Sequence, residues 1–282
     1  MKSGQNMKNR KNWAGHIVLY AFLVFLAAIC IVPFYTMMIN ATRSNAEISV
    51  TLSLLPGKSL VNNYMHLNET INMLGALKNS LVIAVLSTAL TGYFGAMAAY
   101  GFSKFRFKGR NALFVLALST MMIPFQLCYI GLFQASARLH LINTFWPIIL
   151  PAIANATTVF WMRNHMSSVI DDAYIEAARV DGFSEMSIFH TLILPLSQNG
   201  LFTVSIFNFV YAWNDYIAPL IFLSKNEKFP LSLAIAIVKQ ADFQDQGAIY
   251  AGVAMSIIPI LVVYLFLNSK IISGLTVGGV KG

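Results

Sequence analysis

The stretch YIEAARVDGFSEMSIFHTLILP, residues 174–195, is far more polar than the chain around it. The chain is 57% hydrophobic and has 11 acidic residues. Five of these acids fall within the fifteen positions 171–185: Asp171, Asp172, Glu176, Asp181 and Glu185. Good helix formers dominate 173–180, and Gly182 is a typical helix terminator. The stretch therefore predicts two short helices joined at Gly182.

The two predicted helices carry different faces. In the second helix, Met186, Phe189 and Ile193 recur at helical spacing and form an apolar stripe. In the first, Glu176 and Arg179 are three residues apart and can pair on the surface. We expect the second helix to pack on the rest of the protein and the first to offer a charged face to a partner. A purely structural hairpin remains the alternative on composition alone.

Long uncharged segments lie on both sides of this stretch. Only 11% of residues are charged, against about 25% in soluble domains. The charges are clustered, and they leave six uncharged segments of at least 24 residues. A membrane-spanning helix needs about 20 apolar residues. We therefore predict an all-α integral membrane protein with six transmembrane helices near 14–38, 80–102, 112–135, 144–162, 200–223 and 249–268.

These spans divide the chain into regions. Residues 14–268 form one six-span membrane domain, between a short tail at 1–13 and another at 269–282. The loop 163–199 lies between the fourth and fifth spans, and the loop 224–248 between the fifth and sixth. The first apolar segment could also be a signal peptide. It is longer than the roughly 7–15 apolar residues of a signal peptide and lacks an obvious cleavage site, which favours an uncleaved span.

Lysine and arginine in short loops predict the orientation. Four such residues lie in the N-terminal tail and four in 103–111, whereas 136–143 contains only Arg138. Both termini, the 103–111 loop and the 163–199 loop should therefore be cytoplasmic, in a protein that crosses the plasma membrane several times. Basic loops beside membrane lipid account for the net charge of +8 without a nucleic-acid partner.

The sequence offers no pattern of an enzyme. Gly-Lys-Ser at 57–59 resembles the end of a phosphate-binding loop, but Leu52 stands where its first glycine is required. The histidines are scattered and have no Cys, Asp or Glu at metal-ligand spacing. We expect no catalytic residues, no metal site and no cofactor in this chain. Cys30 and Cys128 fall inside predicted spans and are typical of buried, unpaired cysteines.

One acidic residue, Asp215, lies well inside a predicted span. Acids within spans are costly and usually face the bundle interior or a water-filled path. Pro219 should loosen the helix just behind it. The alternative is a site near the outer membrane edge, where Trp and Tyr are common. The candidates for a substrate path are Gln126, Asn155, Trp213, Asn214, Asp215 and Tyr216.

The stretch also resembles a known motif. Glu176-Ala177-Ala178, then Gly182 after three residues, then Leu192 and Leu194-Pro195 resemble the EAA loop of binding-protein-dependent ABC importers. Leu192 replaces the usual Ile. WNDYIAPL at 213–220 and GLTVGGVKG at 274–282 are similar to the carbohydrate-importing branch, specifically to the second permease subunit of maltose-type systems.

The resemblance implies a type I ABC importer permease fold and a division of labour between chains. The 163–199 loop would couple to a separate ATPase dimer, which binds ATP and Mg. The 224–248 loop would face a solute-binding protein, and a second, different permease would complete a heterodimer. Coupling would involve Asp172, Glu176, Ala177, Ala178, Asp181, Gly182, Leu194 and Pro195, and the C-terminal tail would touch the ATPase through Gly278, Gly279 and Lys281.

The function that follows is import of sugars, with oligosaccharides favoured. An ion-gradient-driven secondary transporter is the alternative, and it should show inverted repeats and ionisable residues near the midplane. The sequence has one intramembrane acid and no convincing repeat. A membrane scaffold without a transport role is the third possibility.

Overall fold

The computed structural model describes residues 3–241 and 245–277, which contain helices and no strand. The α-helices are, in chain order, α1 (Ser3–Ala41), α2 (Asn45–Val50), α3 (Leu60–Thr70), α4 (Met73–Lys104), α5 (Arg110–Ser119), α6 (Tyr129–Arg138), α7 (Trp146–Ala152), α8 (Ala156–Val169), α9 (Asp172–Val180), α10 (Glu185–Ile188), α11 (Leu194–Leu196), α12 (Gln198–Asn214), α13 (Ile217–Phe222), α14 (Leu231–Ala241) and α15 (Gln246–Val277). Three 3₁₀ helices lie at Thr120–Met122, Phe125–Cys128 and Asn226–Lys228, and a π-helix lies at Phe189–Ile193.

The helices confirm the all-α membrane fold but differ from six unbroken spans. Within the described residues, three helices are long and apolar enough to cross a membrane: Gly15–Ala41 within α1, α4, and Gln246–Phe266 within α15. Two further pairs of helices are long and apolar enough to cross a membrane only when both members of the pair are counted together, and each pair is sharply bent. Arg110–Met122 and Phe125–Arg138 meet at 93°, and Glu185–Leu196 and Gln198–Asn214 meet at 79°. The count is therefore three spans, or up to five if each bent pair is one.

Residues that interrupt helices explain why the third and fourth predicted spans are broken. Pro124 lacks a backbone N–H and separates two 3₁₀ turns between α5 and α6. In the predicted span 144–162, Asn155 has an extended backbone and its side chain accepts the Thr158 N–H at 2.8 Å. This N-cap starts α8 as a helix separate from α7.

The described residues divide into two compact units, of which one comprises 3–70, 241 and 245–255. Its turn after α1 is organised by Arg43, which is only 5% exposed. The guanidinium donates to the Glu47 carbonyl at 2.6 Å and to Thr51 Oγ1 at 2.9 Å. The Asn63 amide donates to the carbonyls of Ala41 and Arg43, both at 2.9 Å. Buried polar groups in this unit are therefore hydrogen-bonded, as burial requires.

The second unit comprises 71–240 and 256–277, and α4, α8 and α12 pack closely within it. Small residues of α4 permit this approach. A Cβ added at Gly95 would lie 2.6 Å from Cγ2 of Thr158, which is closer than side chains pack. Gly92, Ala96 and Tyr100 recur four residues apart on one face of α4 and are all buried, so this face serves helix packing.

Candidate functional site

Helices α9 and α10 are joined at Gly182, as the sequence predicts. The Asp171 side chain accepts the Ala173 N–H at 3.0 Å and caps the start of α9. At the other end, Gly182 has a φ of +83°. Its N–H donates to the Arg179 carbonyl, and the Phe183 N–H donates to the Ala178 carbonyl. This is a Schellman motif, which places glycine where a left-handed residue is needed.

The two helices dock on the bundle through one apolar surface. Ile175 of α9 is 2% exposed, and Ile188, Phe189 and Ile193 are buried in the same cluster. Their partners on α4 and α8 are Ala96, Ala99, Tyr100, Met162 and Met166. The predicted stripe was therefore partly wrong, since Met186 is exposed and Ile188 is buried. The π-helix at Phe189–Ile193 widens the turn and brings Ile188 and Ile193, five residues apart, onto one face.

An ion pair joins the end of α9 to the start of α10. Arg179 Nε lies 2.7 Å from Glu185 Oε1, so Arg179 does not pair with Glu176 as predicted. The Tyr100 hydroxyl of α4 donates to the other Glu185 oxygen at 2.8 Å. Glu185 thus links α4 to the turn at Gly182.

A second contact joins α4 to the start of α9. Lys104 Nζ lies 2.7 Å from Asp172 Oδ1 and donates to the Ile170 carbonyl at 2.5 Å. The Lys104 side chain is only 6% exposed, so its ammonium depends on these acceptors. The hydrogen bond from Lys104 holds the pKa of Asp172 below its ordinary value. The last turn of α4 therefore holds both ends of α9.

The outer face of α9 is left free by these contacts. Glu176, Ala177 and Asp181 are exposed, and so is Val180, at 87%. Of the other predicted coupling residues, Asp172 and Gly182 are exposed and Ala178 is half-buried. Leu194 is half-buried and Pro195 exposed in α11, apart from the α9 residues in sequence. Gly278, Gly279 and Lys281 lie outside the described residues.

The second unit also contains a partly open cavity of about 690 Å³. Its wall includes proline and alanine residues of α7 and the bend between α5 and α6. Its aromatic and polar lining side chains are those of Ser87, Thr91, Thr120, Phe125, Tyr129, Asn155, Thr157, Asn208, Tyr211 and Asp215. Among the described residues that line the cavity, Asp215 is the single charged side chain, and none is Lys, Arg or His.

Asp215 lies at a break between helices. Helix α12 ends at Asn214, so the chain breaks before the expected point at Pro219, which lies within α13. Asp215 Oδ1 accepts the N–H of Ile217 at 3.0 Å and that of Ala218 at 3.3 Å. These bonds cap α13 and fix the carboxylate at the cavity wall.

The structure brings together two of the six candidate path residues, Asn155 and Asp215. Gln126 is absent from the cavity lining, although its neighbour Phe125 is present. Trp213 is 3% exposed, and its Nε1–H donates to the Ser256 carbonyl at 3.1 Å. Asn214 and Tyr216 are exposed and also lie outside the lining.

The cavity also contains residues that sequence reasoning did not select. Tyr211 lines it, and the spacing of Asn208, Tyr211 and Asp215 at i, i+3 and i+7 is a signal that could have found this residue. Cys128 lines it too. Both Cys128 and Cys30 are free and exposed in this chain, so the expectation of buried cysteines was wrong. No group of three or more His, Cys, Asp or Glu placed to hold a metal ion occurs in the described part of the chain.

A family model described as binding-protein-dependent transport system inner membrane component matches residues 91–269. The arabinooligosaccharides transport system permease protein AraQ of Halalkalibacterium halodurans is 32% identical, over 93% of this chain and 94% of the relative. The lactose transport system permease protein LacG of Rhizobium radiobacter is 30% identical, over 94% and 96%.

A solved structure shares the fold. It is a crystal structure of a bacterial ABC transporter involved in the import of the acidic polysaccharide alginate. One of its chains superposes with a TM-score of 0.78 at 22% identity, covering 92% of this chain and 97% of that one.

Proposed function

Because the chain belongs to the family of inner membrane components of binding-protein-dependent transport systems, we propose that it is a permease subunit of an ATP-driven sugar importer. The named substrates of its relatives, arabinooligosaccharides and lactose, support sugars and favour oligosaccharides. In this proposal the chain forms part of the membrane passage and performs no catalysis. A separate ATPase dimer binds ATP and Mg²⁺.

Coupling to that ATPase is assigned to α9. The observation that carries this assignment is its free outer face, which bears Glu176, Ala177, Val180 and Asp181. The opposite side is held by buried Ile175 and by Lys104 at the start of the helix. A helix bound firmly on one side and open on the other is suited to seat in a partner's cleft. Movement of the ATPase would then reach α4 and α12 through packed contacts rather than through a flexible loop.

The cavity is assigned to the sugar path. Tyr129 and Tyr211 offer aromatic faces for the apolar sides of sugar rings. Asn155, Asn208 and Asp215 offer groups that hydrogen-bond hydroxyls. A volume of about 690 Å³ lies within the range of small-ligand sites, which is about 300–1,000 Å³.

The partners follow from the family's description and from what the chain leaves uncovered. A solute-binding protein would deliver the sugar to the 224–248 loop. The most apolar window of Gly15–Ala41 has no buried residue, so lipid or a second, different permease must cover it. The proposal also assigns both termini to the cytoplasm, where the tail with Gly278, Gly279 and Lys281 would touch the ATPase.

Reconstitution of the full transporter in proteoliposomes tests the coupling assignment. Glu176→Lys and Val180→Arg alter the free face of α9 and leave its buried side intact. We expect sugar-stimulated ATP hydrolysis and uptake to fall about tenfold or more, because an unfavourable charge within an interface costs several kcal/mol and about 1.4 kcal/mol already corresponds to tenfold. Leu139→Arg is the matched control, since Leu139 is also an exposed apolar residue but lies in the predicted external loop.

Three outcomes separate the possibilities. Normal coupling in both α9 variants would remove α9 as the coupling element. An equal defect in Leu139→Arg would show that an added arginine disturbs the fold in general. Uptake that follows an ion gradient and ignores ATP would instead favour a secondary transporter.

A further inference from the structure

We infer that the cavity accepts uncharged oligosaccharides and discriminates against sugars that carry carboxylates. This inference rests on the proposed function, because it assumes that the cavity lies on the sugar path. It adds the chemical class of substrate, which neither the family nor the fold determines. The solved neighbour is described as an importer of an acidic polysaccharide, so the same fold serves anionic sugars.

The charge of the lining carries the inference. Asp215 is the single ionisable acid there, and the described lining residues include no Lys, Arg or His. A uronate requires a cation or several N–H donors in place of its hydration shell. Arginine is the usual partner, because its planar fork matches a carboxylate. In this cavity a uronate would meet Asp215 without a compensating positive charge.

The other polar groups in the wall are partly occupied by the protein itself. Thr91 Oγ1 donates to the Ala152 carbonyl at 2.7 Å, and Asn208 Nδ2 donates to Thr158 Oγ1 at 3.1 Å. These donors are therefore committed to contacts within the bundle. What remains is an uncharged surface of aromatic, hydroxyl and amide groups, which can hydrogen-bond sugar hydroxyls but supplies no positive charge for an anion.

Asp215 is held where it can act on a ligand. One of its oxygens, Oδ1, accepts both N–H groups that cap α13. Its backbone carbonyl accepts the Ser232 hydroxyl at 2.8 Å. The carboxylate thus cannot swing away from an incoming anion without losing the cap. It can accept hydrogen bonds from sugar hydroxyls through its second oxygen, as carboxylates do.

Asp215→Asn removes the negative charge of the side chain and keeps its capping hydrogen bonds. The Asn side chain keeps an oxygen that can accept the N–H groups of Ile217 and Ala218, so α13 remains capped. Glu69→Gln is the matched control, because it removes one negative charge from an exposed residue of α3 that does not line the cavity. The two variants have the same net charge and differ in whether the cavity is altered.

Cys128 supplies a readout that does not depend on the solute-binding protein. It is free, exposed and part of the cavity wall. In the reconstituted transporter with Cys30→Ser, and with the partner chains free of cysteine, the rate of Cys128 alkylation by a maleimide reports cavity occupancy. The probes are three neutral sugars, α-1,5-arabinotriose, lactose and α-1,4-galactotriose, and one acidic sugar, α-1,4-trigalacturonate. The last two share their linkage and differ at the C6 carboxylate.

We expect at least one neutral sugar to slow the alkylation of Cys128. Trigalacturonate should give the same protection only at about tenfold higher concentration, or should give none. Asp215→Asn should reduce this gap between the protective concentrations of neutral and acidic sugars, and Glu69→Gln should leave the gap unchanged. Equal protection by both classes in the wild type, or an unchanged gap in Asp215→Asn, would overturn the charge inference while leaving sugar import intact. Protection by none of the four sugars would instead contradict the assignment of the cavity to the sugar path, and with it the premise of the inference.

Discussion

Trp213 shows how a residue suited to sugar binding can serve the fold instead. Its ring is buried, stacks on Phe209 with 5.6 Å between centroids, and donates its N–H to the Ser256 carbonyl. We predict that Trp213→Phe keeps the stacking and loses about 1 kcal/mol with the hydrogen bond. Thermal unfolding of the purified transporter should show the loss, and the sugar preference of uptake should not change. If the sugar preference changed while the stability did not, Trp213 would instead be assigned to the sugar path.

Gly182 matters for its backbone conformation and not for the space around it. A Cβ added there would meet nothing within 4 Å, but its φ of +83° is unfavourable for other residues. We predict that Gly182→Val weakens the turn by about 1–2 kcal/mol or more, because left-handed backbone is costly for residues with a Cβ. Gly182→Asn should be milder, since asparagine tolerates this conformation.

The ratio of sugar uptake to ATP hydrolysis measures this effect on coupling. We expect the ratio to decrease from wild type through Gly182→Asn to Gly182→Val. Gly101→Val is a suitable comparison, because a Cβ there also meets nothing within 4 Å but no positive φ is required. Equal effects of the two Gly182 variants would contradict an explanation based on φ.

Single residues were predictable where local chemistry decides their role. Gly182 ends a helix because glycine adopts a left-handed backbone, and the order of residues shows this directly. The capping role of Asp215 was missed because an apolar run of this length favours one continuous span. Its side chain competes with the helix backbone for the N–H groups that follow it. Only the structure shows that the side chain accepts them.

Three of the predicted spans correspond to single continuous helices. The charge-free segments 12–42, 79–103 and 246–269 became α1, α4 and α15, each continuous through its span. The segment that contains Pro124 became a bent pair, whereas α1 and α15 continue through Pro33 and Pro259. The resemblance to importer permeases is confirmed by the family match and by the relatives, although the π-helix within the motif had no counterpart in the sequence pattern.

The ion pair between Lys104 of α4 and Asp172 of α9, which we call the tether, can be tested by substitution of either residue. We predict that Lys104→Met and Asp172→Asn each lower the ratio of sugar uptake to ATP hydrolysis. In Asp172→Asn the free energy of unfolding should change by about 1 kcal/mol or less, because this position is 64% exposed and the asparagine oxygen can still accept from Lys104.

Lys104→Met is the informative member of this set, because Lys104 is buried and does not belong to the free face of α9. A defect in Asp172→Asn alone would indicate that Asp172 touches the ATPase directly.

The tether should be insensitive to pH in the physiological range. Lys104 lowers the pKa of Asp172 from its ordinary value of 3.8, so the ion pair stabilises the folded protein above that value. The contribution is lost as the pH falls through the lowered pKa. We therefore expect the wild-type ratio of uptake to hydrolysis to show no transition from Asp172 between about pH 5 and 8. A wild-type transition there that disappears in Asp172→Asn would contradict the assigned protonation.

At the scale of the whole molecule, the proposal requires one consistent orientation. The coupling face of α9 can meet an ATPase only if the 163–199 loop is cytoplasmic. The 103–111 loop must lie on the same side, since Lys104 contacts Asp172. Four basic residues in 103–111, against Arg138 alone in 136–143, predict this arrangement.

Single-cysteine labelling in intact cells tests the orientation. Cys30→Ser and Cys128→Ser remove the native thiols, and Lys108→Cys or Arg138→Cys adds one thiol at an exposed position. We predict that a membrane-impermeant maleimide labels Arg138→Cys in intact cells and Lys108→Cys only after the membrane is opened. The reverse pattern would place α9 outside the cell, where no ATPase could reach it. Such a result would therefore refute the orientation and the coupling assignment together, while the family and the fold would stand.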